Sequence, residues 1–237
     1  MEDLFKFDSP VAVFVAMAGL SLLPFALLTL SSFIKISVVF ALLKNAIGAQ
    51  QVPSGAICSL LSLVLTLHVM SPVISSSAER VYAAAQANSA QKRSKAKGDF
   101  SLYLRLFQAG IEPFRAFMLK HAHARERIFF ANTSGLLRGE KIEIGEGEGE
   151  REKLLEKETF LSLIPAFVIS QLQEAFAIGF SIFLPFLIVD LVIANLLVGL
   201  GMMMVSPVSI AMPFKLILFV MCDGWFLLCR GLIMGYA

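Results

Sequence analysis

Long apolar segments alternate with a single long polar segment along the chain. No charged residue occurs from position 9 to position 34, and further apolar runs cover 57–73, 159–200 and 208–236. A helix that crosses a bilayer needs about 17 to 25 mostly apolar residues, and each run reaches that length. We therefore expect an all-α protein built from hydrophobic helical hairpins of a membrane-derived type.

A hydrophilic insert separates the hydrophobic parts. It holds 15 of the 20 Lys and Arg residues and 12 of the 18 Asp and Glu residues. The remaining charges are too few to cover the surface of a soluble protein. The chain accordingly divides into an N-terminal hydrophobic region (1–74), the insert (75–158) and a C-terminal hydrophobic region (159–237).

The insert itself is expected to be helical. Its first residues, AERVYAAAQANSAQ, are good helix formers,. Apolar positions at helical spacing over 100–130 predict a second helix pair, broken near Pro113,. Alternating Gly and Glu at 145–150 predict a flexible linker that leads into a short charged helix,. These glutamates lack the spacing of an EF-hand calcium loop.

The apolar run over 159–200 raises a problem of length. As one helix it would extend about 63 Å, twice the roughly 30 Å hydrocarbon thickness of a bilayer. It must therefore fold back, break, or leave the bilayer. Pro165, Gly179 and Pro185 are the candidate breaking points.

Composition narrows the class of protein. The chain is 57% hydrophobic and 16% charged, with a mean hydropathy of +0.77, whereas soluble domains carry about a quarter charged residues. The net charge of +2 and the lack of a basic stripe argue against nucleic acid binding,. The acidic N-terminus does not have the form of a cleaved secretory signal. We expect the three cysteines to act as small buried hydrophobes; they are Cys58, Cys222 and Cys229.

Basic residues give a weak indication of membrane orientation. Lys35 and Lys44 flank the first short loop and favour a cytoplasmic position for it, which would put the insert outside,. The insert holds more Lys and Arg in total, but long segments translocate regardless of their charge. We favour the orientation with the insert outside.

Four ionisable residues lie in apolar surroundings: Glu174, Asp190, Lys215 and Asp223. A charge inside a bilayer costs about 2.5–3.5 kcal/mol on insertion scales, so such residues normally face a partner or water. One interpretation is a proton or ion path, and the other is pairing between helices or subunits. We favour pairing, because no second carboxylate lies one helical turn away. Lys215 and Asp223 are eight residues apart, which on one helix separates them by more than about 10 Å. We therefore expect them to pair between neighbouring subunits.

Motifs for catalysis and metal binding are scarce. His121 and His123 are two residues apart on an expected helix, so their rings point to different faces, a poor arrangement for shared metal ligation,. His68 is alone in an apolar run. No HExxH, GxSxG or phosphate-binding glycine loop is present,. We therefore predict neither an enzyme nor a bound cofactor or metal.

Three consecutive methionines occupy the break between the last two apolar runs. Met202, Met203 and Met204 stand between Gly201, which allows a turn, and Pro207, which is suited to begin the next helix,. Methionine is flexible and unbranched, so it fills irregular gaps and adapts to varied partners. From the residues alone, a gap-filling loop is favoured over an adaptable seal.

Several segments together resemble a known family. They are SFIKISVVFALLKNAIGAQQVP, LIPAFVISQLQEAFAIGFSIFLPFLIVDLV and GMMMVSPVSIAMPFKLILFVMCDGW. In this order they are similar to the SctR/FliP family of type III secretion export-apparatus proteins. The dipeptide Lys44-Asn45 before AIGAQQVP looks closer to the virulence (injectisome) branch than to the flagellar one. Gly55 departs from the pattern, which often has Asn there.

The resemblance implies a non-enzymatic subunit of an export gate. Family members form a homo-pentamer, completed by SctS-like and SctT-like subunits and joined by an SctU-like export switch. The resulting ring, a pseudo-helical cone, sits in the secretion base at the bacterial inner membrane. It lies partly on the periplasmic side and passes unfolded protein substrates. By hydropathy its hairpins look as if they cross the membrane several times, but in the assembled complex they lie largely outside the bilayer. This position would relieve the length problem of the apolar run over 159–200.

The resemblance also assigns roles to residues. Met202, Met203 and Met204 would form a constriction ring inside the pore, which reverses the preference for a gap-filling loop, and Phe214 would be a second, weaker narrowing. The structural or inter-subunit charged residues would be Lys35, Glu174, Asp190, Lys215 and Asp223. The loop and turn residues would be Gly48, Gln50, Gln51, Pro53, Gly201 and Pro207.

Two other functions remain open at this point. An ion- or proton-coupled membrane transporter would use Glu174, Asp190 and Asp223 as its intramembrane carboxylates. A scaffold that only nucleates assembly is the weaker alternative. The export gate, in contrast, would work without carboxylates. Its flexible apolar side chains would adapt to passing side chains of varied shape, and the constriction would close by dewetting.

Overall fold

A computed structural model describes residues 17, 21, 24–25, 28–48, 54–91, 100–137, 159–202 and 204–236. Within these ranges the chain is helical and contains no strand, which confirms the all-α prediction. Gln50, Gln51, Pro53, Met203, the Gly-Glu linker and the short charged helix fall outside the described residues. The helices are α1 (Phe33–Ile47), α2 (Gly55–Gln91), α3 (Phe100–His121), α4 (Ala124–Leu137), α5 (Phe160–Gly199), α6 (Pro207–Met221) and α7 (Gly224–Met234).

The 40-residue helix α5 runs through the expected breaking points without interruption. The predictions that this run folds back or breaks are therefore wrong. A proline removes one backbone hydrogen bond, but here the residues that follow each proline are buried in the core, so packing holds the helix together. Ala166 and Phe167 follow Pro165, and Phe186 follows Pro185. A helix of this length extends about 60 Å, so of the three expectations only an extension beyond the bilayer remains.

Helices α2 and α3 also pass through internal prolines. The 37-residue α2 contains Pro72, and the 22-residue α3 contains Pro113. The expected helix pair in the insert is present as α3 and α4, but its break lies at Ala122–His123 and not near Pro113. Side-chain contacts explain the continuity: beyond Pro113, Phe117 and Met118 are buried in the core.

Helix α1 is the most deeply enclosed element of the described chain. Its apolar side chains pack against α5, α6 and α7 in a first core cluster, made of Ile36, Val39, Phe40, Leu43, Ala46, Ile47, Ala175, Phe186, Phe219 and Leu232. A second cluster joins the insert to the beginning of α5, made of Leu30, Met70, Phe117, Met118, Ala122, Leu163, Phe167 and Tyr236. The long helix α5 thus links both clusters.

The C-terminal helices form a bent pair. Helices α6 and α7 meet at 62°, and Asp223 at the bend has a left-handed backbone with φ of 52°. The ring of Phe219 occupies the space in which a side chain at Gly224 would lie. Trp225 packs edge-on against Phe219 with a centroid separation of 5.2 Å. The prediction that all three cysteines are buried is wrong, because Cys222 beside the bend is exposed while Cys58 and Cys229 are half-buried.

Among the described residues, two segments are long and apolar enough to cross a membrane, Gly55–Gln86 and Phe160–Gly199. The bent pair α6–α7 adds a third if it forms one span. Only 11% of the most apolar window of α5 is buried inside the chain. Lipid or other subunits must therefore cover most of the apolar surface of α5, because water would not stabilise it.

Gly179 permits the close contact between α1 and α5. A methyl group at this position would overlap the Leu42 side chain, whereas one at Gly231 in α7 would meet open space. We predict that Gly179→Ala destabilises the detergent-solubilised protein by about 1–3 kcal/mol, the usual cost of overpacking. Gly231→Ala, the matched control, should be neutral or slightly stabilising, because alanine favours helices. Equal melting temperatures for the two variants would contradict this packing account.

Candidate functional site

The loop between α5 and α6 has a well-defined base. After α5 ends, the Gly201 N–H donates to the Val198 carbonyl at 3.0 Å and the Met202 N–H to the Leu197 carbonyl at 2.9 Å. Gly201 has φ of 76°. This pair of bonds with a left-handed glycine is a Schellman motif, which satisfies the last carbonyls of a helix. The backbone entering the loop is therefore fixed.

Three apolar side chains of this loop are exposed. Met204 is fully exposed, Met202 is 47% exposed and Leu200 is 73% exposed. Pro207 is the first residue of α6, where its missing N–H costs nothing,. Phe214, two turns farther along α6, is 52% exposed. We call residues 200–206 the methionine loop: its base is fixed by hydrogen bonds and its tip presents soft apolar side chains.

Gly48 lies beside the base of α6. It ends α1 in the left-handed conformation, with φ of 80°, and its N–H donates to the Asn45 carbonyl. A methyl group there would stand 3.7 Å from Val208. The turn after α1 therefore packs against the first turn of the helix that follows the methionine loop.

Lys215 forms a buried ion pair within the chain. Its Nζ lies 2.6 Å from Asp190 Oδ2 and donates to the Ala46 carbonyl at 3.0 Å. The Lys215 side chain is 4% exposed and that of Asp190 is 27% exposed. One ammonium group thus joins α6 to α5 and to the last turn of α1, where a positive charge is favourable. The Lys215 charge thus has a partner within the subunit, while Asp223 lies exposed at the α6–α7 bend. The pairing of Lys215 with Asp223 of a neighbouring subunit stays a prediction.

Lys35 forms a second ion pair, with Glu174. Lys35 Nζ lies 2.5 Å from Glu174 Oε2, and the lysine side chain is 3% exposed. The same ammonium stands 4.3 Å from the centre of the Tyr236 ring, a cation–π contact. The Tyr236 hydroxyl donates to Gln171 Oε1 at 2.5 Å. Burial and the nearby Glu174 charge raise the pKa of Tyr236, so this hydroxyl stays protonated and remains a donor.

The sequence matches the FliP family over residues 16–232. The chain belongs to the FliP family. It is 36% identical over 233 residues to Yop proteins translocation protein R of Yersinia pestis, which covers 98% of this chain and 99% of the relative. It is 40% identical over 222 residues to Pathogenicity-related ORF2 of Xanthomonas campestris pv. glycines, with 94% of each chain covered.

A flagellar relative is also similar to this FliP-family chain. The identity with flagellar biosynthetic protein FliP of Pectobacterium carotovorum subsp. carotovorum is 39% over 226 residues, covering 95% of this chain and 78% of the relative. These matches confirm the family resemblance. Together with the apolar helices, family membership indicates a membrane location.

The ion pairs bear on the chemistry available to this FliP-family chain. Glu174 and Asp190 are each neutralised by a lysine at hydrogen-bond distance. Each of these contacts joins two helices, so the two carboxylates serve helix pairing within the subunit. Asp223 faces outward at a helix bend. The arrangement agrees with the predicted pairing role of Glu174 and Asp190.

Sequence reasoning named Lys35 and Glu174 as charged site residues but did not pair them with each other, and it did not single out Gln171 or Tyr236. Lys35 and Glu174 are 139 residues apart, and Gln171 and Tyr236 are 65 apart, so no local pattern links the members of either pair. His121 and His123, discounted as metal ligands, lie at the α3–α4 turn beside this network.

A double-mutant cycle tests the Lys215–Asp190 pair. Removing one partner of a buried pair leaves an uncompensated charge, so Lys215→Met should destabilise the protein by about 2–3 kcal/mol. The added change Asp190→Leu should recover a large part of this loss, because no buried charge then remains. Thermal unfolding in detergent measures both effects. Strictly additive losses would show that the two side chains are not coupled.

His121 should make the protein less stable in mild acid. Burial, followed by the charges of Lys120 and Lys35, lowers the pKa of His121 from 6.5, against an opposing effect of Glu174. The unfolded chain therefore takes up a proton at a higher pH than the folded chain, so this contribution is complete above about pH 6.5 and is lost as the pH falls below it. The imidazole packs at 4.6 Å from Phe117 and 5.1 Å from Tyr236.

The variant His121→Phe keeps a ring in place and cannot titrate. The melting temperature of the wild type should fall more steeply than that of the variant between about pH 7 and pH 5.5. Parallel pH profiles for the two proteins would show that His121 contributes nothing to the acid sensitivity.

Proposed function

We propose that this chain is a core pore-forming subunit of a type III secretion export gate, which passes unfolded proteins across the bacterial inner membrane. The observation that carries the proposal is the methionine loop: Met202 and Met204 are exposed at the tip of a hairpin whose base is fixed. The names of the relatives, a translocation protein and a flagellar biosynthetic protein, support a role in protein secretion.

The loop combines the two properties that a gate for unfolded chains requires. Its anchor is rigid, because the Schellman motif holds the end of α5 and Pro207 begins α6. Its tip is adaptable, because methionine has three rotatable bonds and no charge or strong hydrogen-bonding group. A ring of such side chains would close by excluding water and would repack around a passing polypeptide. Phe214 would provide a second apolar narrowing.

Assembly with other subunits is part of the proposal. The exposed apolar side chains of α5, α6 and α7 exceed what a soluble monomer leaves uncovered. Those with more than half of their surface exposed include Phe176, Phe180, Ile188, Leu191, Leu196, Phe214, Ile217, Val220 and Phe226. A homo-pentamer completed by SctS-like and SctT-like subunits, beside an SctU-like switch, would cover these faces. The insert would lie on the side of the inner membrane that faces away from the cytoplasm.

The ion pairs would position the loop in this account. Lys215 ties the helix after the loop to Asp190 in the helix before it, and its bond to Ala46 ties both to α1. These bonds hold the hairpin that carries the methionines on α1, the most enclosed helix of the described chain. The charged residues then stabilise the single subunit, so that apolar faces and the loop remain available for assembly and sealing.

The seal is tested by ion leakage through the assembled complex. Substituting alanine at Met202, Met203 and Met204 together should leave assembly intact and make the closed complex permeable to small ions, because the shorter side chains leave an opening. Membrane conductance of cells or of the reconstituted complex measures the change.

Met221→Ala is the matched control. Met221 is 82% exposed but lies at the far end of α6, about 20 Å from Pro207 along the helix axis. Its substitution should not change the conductance. An unchanged conductance in the loop variant, or an equal increase in the control, would reject the methionine loop as the seal.

A further inference from the structure

The α3–α4 turn is held on α5 by backbone hydrogen bonds. The His123 N–H donates to Ser170 Oγ at 2.9 Å, and Gln171 Nε2 donates to the His121 carbonyl at 3.0 Å. These bonds satisfy backbone groups that the helix break leaves open. They involve no titratable side chain, so they fix the turn independently of pH.

The His123 side chain lies between two carboxylates from different helices. Its Nε2 lies 3.0 Å from Glu174 Oε1 on α5, and its Nδ1 lies 3.9 Å from Glu126 Oε2 on α4. A neutral imidazole has one N–H and can donate to only one of these groups. The imidazolium has an N–H on both nitrogens, so only the charged ring serves both carboxylates. Histidine is also the side chain that changes charge between about pH 5 and pH 8.

Glu126 has one oxygen whose needs are not met. Its Oε1 accepts a hydrogen bond from Gln173 Nε2 at 3.0 Å, while its buried Oε2 has no hydrogen-bond partner among the described residues. The Glu126 side chain is 10% exposed. A buried oxygen without a donor is unfavourable, and His123 Nδ1, which lies 3.9 Å away, carries an N–H when the ring is charged.

The other charges around His123 come from each element packed here. Lys35 of α1 shares Glu174 with the imidazole, so it weakens the attraction between the imidazole and Glu174. Lys120 and His121 precede the turn on α3, and the Tyr236 hydroxyl is neutral; on α4 the neighbours are Arg125, which is exposed, and Arg127, which is half-buried. The His123 side chain is 46% exposed, so it can exchange protons with the solvent.

We propose that His123 is a pH-dependent clasp between the insert and α5. The imidazolium, with a proton on each nitrogen, bridges Glu174 of α5 and Glu126 of α4 and holds α4 firmly on α5. The neutral ring can donate to only one of the two carboxylates, so without the second proton Glu126 loses the bridge, and α4 opens more readily while the turn itself remains bound. The clasp acts in the opposite direction to His121 and does not depend on the proposed role in secretion.

Hydrogen exchange measured by mass spectrometry on the full-length protein in detergent tests the clasp. Protection of the α4 backbone over Ala124–Leu137, corrected for the intrinsic pH dependence of exchange, is compared at about pH 5.5 and pH 8, with α1 as the internal reference. We expect α4 protection in the wild type to be about tenfold higher at the lower pH, in line with a hydrogen bond between charged groups.

Three variants separate the clasp from other pH effects. His123→Gln and Glu126→Gln should each give α4 protection that does not change with pH, at the level of the wild type at pH 8. Two variants are used so that the test survives if one fails to fold. His121→Phe should keep the wild-type change. A wild-type α4 whose protection is independent of pH, or a pH change that persists in His123→Gln, would overturn the proposal.

Discussion

The structure depends on placing two ammonium groups inside an apolar protein. Lys35 and Lys215 are almost completely buried, and a buried charge is tolerated only when a partner of opposite charge lies in contact. Both partners, Glu174 and Asp190, come from α5. The ion pair with Lys35 therefore aligns α1 against α5, and the ion pair with Lys215 aligns α6 against α5. The two contacts lie at different positions along α5.

This bracing gives a physical reason for the contrast between the base of the methionine loop and its tip. Below the loop, Lys215 joins α6 to α5 and α1, and the Schellman motif closes the end of α5. At the tip, Met204 is fully exposed among the described residues. An apolar constriction made of adaptable side chains can keep its position only if the backbone that carries it does not move. Rigidity at the base and softness at the tip are thus parts of one arrangement.

The sequence predicted the helices better than it predicted where they end. The apolar runs over 57–73, 159–200 and 208–236, together with Gly201 and Pro207, are local signals, and the corresponding helices and the turn after α5 are present. Pro113, Pro165 and Pro185 are local signals too, yet the helices continue through them, because buried neighbours such as Phe167 and Phe186 hold both sides in the core. Local propensity does not report tertiary packing. The partner of Lys215 was missed for a related reason: Asp190 and Asp223 are both available in the sequence, and only the fold brings one of them into contact.

Photo-crosslinking can show whether the methionine loop touches a protein in transit. A photo-crosslinking amino acid at position 204, compared with one at position 221, can be activated in the assembled apparatus while a secreted substrate is stalled in it. We predict crosslinks to the substrate from position 204 and none from position 221. Absence of crosslinks at position 204, with the substrate stalled and the complex intact, would contradict it.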